Sequence, residues 1–166
     1  TGKAMYVDDI VEPVGTLYLA PGRTDDVCGH IRNINLKAVR EAPGVVAVLT
    51  AKDVPGINDI SPTHCGDDPV FAETEIRFHG EPIFAVIARS YHEARAAARL
   101  GQIDVIPGKP ILTIDEALAA ESFISEQRQM QRGDWQAAMD QAPQHAEGVC
   151  ESGGQDHFYL EGQVSL

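Results

Sequence analysis

The densest group of reactive side chains lies near the end of the sequence, in Gly153-Gly154-Gln155-Asp156-His157-Phe158-Tyr159-Leu160-Glu161. A glycine pair lets the backbone approach a ligand closely, and amide, imidazole, phenol and carboxylate groups follow at once. The plainer reading is a strand that opens a new domain, with its polar groups bonded to neighbouring loops. Residue types alone favour that reading. A small hydrolase using His157 with Asp156 or Glu161 is a third arrangement, because triads assemble in three dimensions rather than along the chain. The G-x-S-x-G pattern of a nucleophile elbow is absent. The turn Gly80-Glu81-Pro82 reads as a feed into a buried strand more simply than as a binding turn.

Other chemistry finds little support. Cys28-Gly29-His30 and His64-Cys65 are the closest groupings of metal ligands, and neither has the two-pair spacing of a structural zinc site. The acid pairs Asp8-Asp9, Asp25-Asp26 and Asp67-Asp68 would point to opposite faces of a strand. They fit turns, where Asp accepts from nearby amides. No G-x-x-x-x-G-K-[ST] loop and no G-x-G-x-x-G after a strand is present, so the phosphate-cradling patterns are missing.

The elements that would position these groups are legible in part. Thr16–Ala20 and Gly44–Leu49 read as strands, with a short helix over Leu36–Ala42 between them. Thr50 to Asp53 has the spacing of a cap with an acid three residues on. Residues 54–75 read as a long surface loop. The clearest unit is 81–106. Pro82–Ala88 is continuously apolar, as in a strand buried on both faces. Ser90-Tyr91-His92-Glu93 is a capping box in which the glutamate reaches back to the cap amide. A helix over 91–100 follows, with Tyr91, Ala94, Ala97, Ala98 and Leu100 facing inward and Gly101 as the residue after the cap. The alternating run Gln102–Ile106 completes what reads as a compact βαβ unit on a central sheet. A second box at Thr113–Glu116 opens a helix to Ala120, an Ala-rich helix falls near 134–142, and Phe158-Tyr159-Leu160 reads as an aromatic strand.

Composition bounds the function classes. The chain has 166 residues, 13 Lys plus Arg and 25 Asp plus Glu, giving a net charge of −12. With no basic run, nucleic acid and anionic membranes are expected not to be partners. The longest apolar run, Ile83–Ala88, is far short of the roughly 20 residues that span a bilayer. Three scattered cysteines fit a reducing, cytoplasmic setting better than a disulfide framework. Beginning at Thr1 and stopping after Gln163-Val164-Ser165-Leu166, the chain reads as a fragment of a longer protein.

In order, these segments become recognisable. Thr1-Gly2-Lys3-Ala4-Met5-Tyr6-Val7-Asp8-Asp9 resembles a "TG-A-Y-DD" opening. Ala42–Thr50 with Asp53-Val54-Pro55-Gly56 and Asn58 resembles an "APGV-AV-T--DVPG-N" block. Phe78–Pro82 with Val86-Ile87-Ala88 is similar to "F-GQP---VVA", and Arg132-Gly133-Asp134 and Gly153–Glu161 to "RGD" and "GGQEHFYLEGQ". The series resembles that of the molybdenum-binding subunit of xanthine dehydrogenases, most similar to the bacterial large-subunit form, within the molybdenum hydroxylase (xanthine and aldehyde oxidase) family. Val27-Cys28-Gly29 stands where the family has "AHA", Val105–Lys109 where it has "YEELP", and Glu81 where it has Gln.

The resemblance implies an α+β (mixed α/β) fold. An α/β hammerhead domain would cover 1–108 and a connector with short helices 109–150. The first strand of a truncated molybdopterin-binding domain would cover 151–166. It implies an enzyme of purine catabolism that hydroxylates xanthine or hypoxanthine toward urate. Molybdopterin would lie in the full subunit, and FAD and 2Fe–2S centres on other domains or a partner subunit would pass electrons to NAD. The family's catalytic and pterin-holding residues have no counterpart in these 166 residues. Gln155, His157, Tyr159 and Glu161 are therefore expected to be structural or supporting, with no catalytic residue, metal ligand or cofactor contact in the segment. The expected partners are the remainder of the molybdenum subunit, the FAD/iron–sulfur subunit and a purine substrate. The segment alone would be an inactive scaffold. The alternatives are a freestanding binding or assembly module of hammerhead fold and a fragment of an aldehyde oxidoreductase.

Overall fold

A computed structural model describes residues 2–166. The chain divides into two compact units, one spanning Glu12–Thr113 and the other combining Ile114–Leu166 with the residues up to Val11.

The Glu12–Thr113 unit contains strands β1 (Tyr18–Gly22), β2 (Gly29–Asn35), β3 (Val45–Thr50), β4 (Glu75–Ile76), β5 (Phe84–Ala88) and β6 (Gln102–Pro107), with helices α1 (Lys37–Arg40) and α2 (Tyr91–Ala98). They form two three-stranded sheets, ordered β1-β5-β3 and β4-β2-β6. Every pairing is antiparallel. The mixed α+β class expected from the sequence is the class observed. The single central sheet and its βαβ unit are not. Strand β5, helix α2 and strand β6 do follow one another, but β5 and β6 belong to different sheets. The reason lies in their partners. Continuously apolar β5 takes a neighbour on each side, β1 and β3, while half-buried β6 aligns Ile103 and Val105 with Ile34 and Ile31 of β2.

The core forms around β5. Phe84, Val86 and Ala88 are fully buried, and Ala94, Ala97 and Ala98 bring the face of α2 against β1 and β5. Small side chains let a helix approach a sheet closely, so alanine is favoured there over a larger apolar residue. Tyr91 and Leu100, expected to face inward, are about half exposed instead. Tyr91 opens the helix, and its ring lies 5.4 Å from the Arg95 guanidinium. Gly101 also has a different reason from the one expected. Its φ is not positive, so it is not a left-handed cap. A Cβ on Gly101 would fall 2.6 Å from the Phe84 ring, and one on Gly22 would fall 2.1 Å from it. Both glycines make room for one phenylalanine.

Helix α2 is capped as the sequence suggests, with one change. The Ser90 hydroxyl accepts the Glu93 amide at 3.3 Å. The Glu93 carboxylate, however, accepts from the Ser90 hydroxyl at 2.8 Å rather than from its amide. That carboxylate rests on Gly44, whose φ is +76°. Gly44→Ala is expected to destabilise the unit by about 1–2 kcal/mol, because a Cβ is penalised in that backbone region. A urea titration checks this, with a lower midpoint and an unchanged slope expected.

Local irregularities adjust the sheets. One extra residue on β2, Arg32, lies between the pairs Ile31↔Val105 and Asn33↔Asp104. Val46 plays the same part in β3 and is half exposed. Helix α1 is shorter than expected, four residues after Leu36, and it buries Val39 beside Leu36. The 3-10 turn Ala51–Asp53 is closed by Asp53, which accepts from the Thr50 amide at 2.8 Å and its hydroxyl at 2.9 Å. These bonds hold the Asp53 carboxyl below its ordinary pKa, the Thr50 amide being the larger cause.

In the other unit, a 3-10 turn covers Val7–Asp9, and helices α3 (Ile114–Ala119) and α4 (Trp135–Asp140) sit near the positions expected. Asp134 caps α4 by accepting the Ala137 amide at 3.0 Å. The aromatic strand expected at Phe158-Tyr159-Leu160 is not formed. A strand is completed by a neighbouring edge, and no described residue pairs with this stretch. Among the described residues, no helix is long and apolar enough to cross a membrane.

Candidate functional site

The loop between β3 and β4 carries no regular element after Val54, yet a few polar side chains fix it. Asn58 forms a two-bond clamp on Phe71, its Nδ2 donating to the carbonyl at 2.8 Å and its Oδ1 accepting the amide at 3.0 Å. Asp59 gathers the tip. It accepts from the Ser61 hydroxyl at 2.8 Å and the Ser61 amide at 3.0 Å, then from the Gly66 amide at 3.1 Å and the Asp68 amide at 3.4 Å. These donors hold the Asp59 carboxyl below its ordinary value of 3.8, the Ser61 hydroxyl first among them.

A depressed folded pKa means that protonation favours the unfolded loop. The contribution of Asp59 is complete above the ordinary carboxylate range and is lost as pH falls through the depressed value. Acidification through the depressed value is expected to lower the protection of the Ser61, Gly66 and Asp68 amides against hydrogen exchange, measured relative to their intrinsic rates at each pH. In Asp59→Asn those amides are expected to exchange fast already at neutral pH. Exchange that ignores both changes would remove Asp59 as the organiser of the loop.

The turn before β5 is built on a buried acid. Glu81 is 2% exposed. It accepts the Arg77 amide at 2.6 Å and both the Nε and Nη2 of Arg77 at 3.3 Å. Arg77 also donates Nη1 to the Asp67 carbonyl, which ties this turn to the Asp59 loop. Gly80 provides the reversal with φ +89°. The carboxylate is satisfied from within the turn, so Gly80-Glu81-Pro82 has the structural role that its sequence favours.

The segment 153–161 is open to solvent and carries no helix or strand. Gln155, His157, Tyr159 and Glu161 are all exposed. Asp156 accepts the backbone amide of His157 at 2.8 Å, so its recorded bond is not to the imidazole that a hydrolase would need. The Tyr159 hydroxyl accepts from Gln163. A molybdopterin would need convergent donors in a cleft. These four side chains line neither of the grooves described below. Among the described residues, no three His, Cys, Asp or Glu side chains cluster as a metal site. The acid pairs serve turns. Asp9 accepts the Tyr6 amide at 3.0 Å, Asp26 accepts the Thr24 hydroxyl at 2.6 Å, and the Asp68 amide donates to Asp59.

Two grooves mark the Glu12–Thr113 unit. The larger, 830 Å³, lies between β1, α2 and the start of β6 and carries Arg23, Arg95 and Arg99. The smaller, 410 Å³, has Arg32, Arg40 and Lys52 about the apolar Leu36 and Ile83, with Glu73 beside them. No histidine or cysteine lines either one. The cations in both suit anionic groups. Sequence reasoning missed the Asp59 hub, the Glu81–Arg77 pair and the arginine groove. The Asn-Asp-x-Ser spacing at 58–61 was an available signal for the first. The third depends on Arg23 meeting a helix far along the chain, which spacing does not show.

Two antiparallel sheets with a capped, alanine-faced helix give the Glu12–Thr113 unit its mixed α+β fold. A family model for the a/b hammerhead domain of aldehyde oxidase and xanthine dehydrogenase matches residues 1–106, and the chain belongs to that family of molybdenum hydroxylases. It is 36% identical to a xanthine dehydrogenase/oxidase of Gallus gallus over 165 residues, covering 99% of this chain and 12% of that protein. It is 35% identical to aldehyde oxidase 3 of Rattus norvegicus over 164 residues, covering 98% and 12%. Among solved structures, the aldehyde oxidoreductase of Desulfovibrio desulfuricans aligns with a TM-score of 0.62 at 29% identity, over 68% of this chain and 13% of that one. The chain thus spans about 12% of the length of the curated relatives it matches.

Proposed function

We propose that these 166 residues are the N-terminal part of the molybdenum-binding subunit of a xanthine dehydrogenase and serve there as scaffold. The observation that carries this reading is the end-to-end match, 99% of the chain at 36% identity to a xanthine dehydrogenase/oxidase. The site supports the scaffolding role. Its best-organised polar groups, Asp59 and Glu81, spend their carboxylates on their own loops. In the whole protein, molybdopterin held elsewhere would supply the hydroxylation, and FAD and iron–sulfur centres would carry electrons to NAD. Gln155, His157, Tyr159 and Glu161 would support the domain that holds the cofactor. The partners would be the remainder of that subunit, the FAD/iron–sulfur subunit and a purine, all in the cytoplasm.

A second reading has its own observation. The match to an aldehyde oxidase is 35% over 98% of the chain, equal in practice to the first. An aldehyde oxidoreductase would use the same scaffold. Turnover separates the two. The protein purified from its source is expected to oxidise xanthine with NAD as acceptor, while the 166-residue chain alone turns over nothing. Oxidation of benzaldehyde without xanthine would favour the second reading. Activity in the isolated chain would overturn the scaffolding role.

A further inference from the structure

We propose that the groove between β1, α2 and β6 docks an extended, acidic segment of a partner chain. Two independent observations meet there: an unpaired strand edge and a cluster of arginines.

The edge follows from register. Strand β1 has β5 as its only neighbour among the described residues. The Gly22 carbonyl accepts the Ile83 amide at 2.9 Å, so Gly22 bonds toward the β5 side. Bonding direction alternates along a strand. The amide and carbonyl of Leu19, with the carbonyl of Pro21, therefore point the other way, and both residues line the groove. Such an edge can take an added strand through main-chain bonds. Pro21 withholds one amide, which confines the addition to the stretch around Leu19.

The arginines give the segment its charge. Arg95 and Arg99 lie four residues apart at the C-terminal end of α2, and Arg23 follows β1 directly. Against these three cations the groove lining has one acid, Asp25. In a chain of net charge −12, this is a local reversal of sign. Arg95 is held by Tyr91, with its Nη1 3.3 Å from the Tyr91 hydroxyl. Arg23 and Arg99 form no ion pair among the described residues. Guanidinium groups suit carboxylates, which they bind through paired N–H donors. An added strand lays alternate side chains on one face, so acidic residues at every second position would meet the arginines.

The test uses the 166-residue chain and a fluorescein-labelled peptide of about ten residues that alternates glutamate and valine, long enough for one strand. Anisotropy is expected to show saturable binding below about 1 mM that weakens with salt. Arg95→Gln with Arg99→Gln is expected to weaken it by about tenfold or more, and Asp25→Asn to tighten it, with circular dichroism unchanged in each. A peptide N-methylated at every residue, which offers no main-chain donor on either edge, is expected to lose binding. Absence of binding, or equal binding of the N-methylated peptide, would overturn the proposal. So would complete displacement by inorganic pyrophosphate at the peptide's own concentration, which would mark a site for small anions.

Discussion

Phe84→Ala is expected to lower the unfolding free energy of the Glu12–Thr113 unit by about 3–5 kcal/mol, the usual cost of removing a buried aromatic side chain. The ring is fully buried in the central strand and lies over two residues without side chains, Gly22 and Gly101. Nothing on those residues can collapse into the space the ring would leave. A domain of this size is stable by about 5–15 kcal/mol, so the loss would be a large part of the whole. Urea unfolding followed by circular dichroism measures it, and a loss below about 1 kcal/mol would show that the ring is not the core's centre. A second substitution sharpens the point. Gly101→Ala is expected to destabilise strongly while Phe84 is present and far less in a Phe84→Leu background, a coupling that a double-mutant cycle reads directly.

Glu81→Ala carries the second large effect, about 2–3 kcal/mol. The cost has two parts. The Arg77 amide loses its acceptor at 2.6 Å, and the guanidinium loses its partner at 3.3 Å. The Arg77 side chain is 39% exposed, so water recovers some of the second part. This keeps the figure below the roughly 3–5 kcal/mol for a fully buried pair. Glu81→Gln is expected to cost less than Glu81→Ala, because the amide oxygen still accepts the Arg77 amide. Thermal unfolding of the two variants checks the order, and equal losses would mean that the backbone bond is not what Glu81 contributes.

The sequence was legible where the signal is local. The apolar run of β5, the Ser90 cap of α2 and the Thr50–Asp53 turn depend on residues within four positions of one another. The partnership of strands was not legible. Strand β6 follows α2 at the distance of a βαβ unit but joins the other sheet, because Ile103 and Val105 are completed by Ile34 and Ile31 far upstream. Gly101 shows the same gap at a single residue. Its position after a helix suggested a cap, while its cause is the Phe84 ring, on the strand before that helix. The aromatic run at 158–160 has strand composition, but composition supplies no neighbouring edge. As for function, the ordered series of motifs carried the family, and the residues themselves carried no chemistry. The acids that the structure buries or constrains, Glu81 and Asp59, bond to their own loops.

The most direct measurement is made on the source protein. An antibody raised to these 166 residues would identify the polypeptide that contains them, and molybdenum would be assayed in that purified species. A polypeptide several times larger than 17.9 kDa that carries molybdenum is the expected result, and it places catalysis outside this scaffold. A polypeptide of about that same mass without molybdenum would contradict it and make the chain a freestanding module.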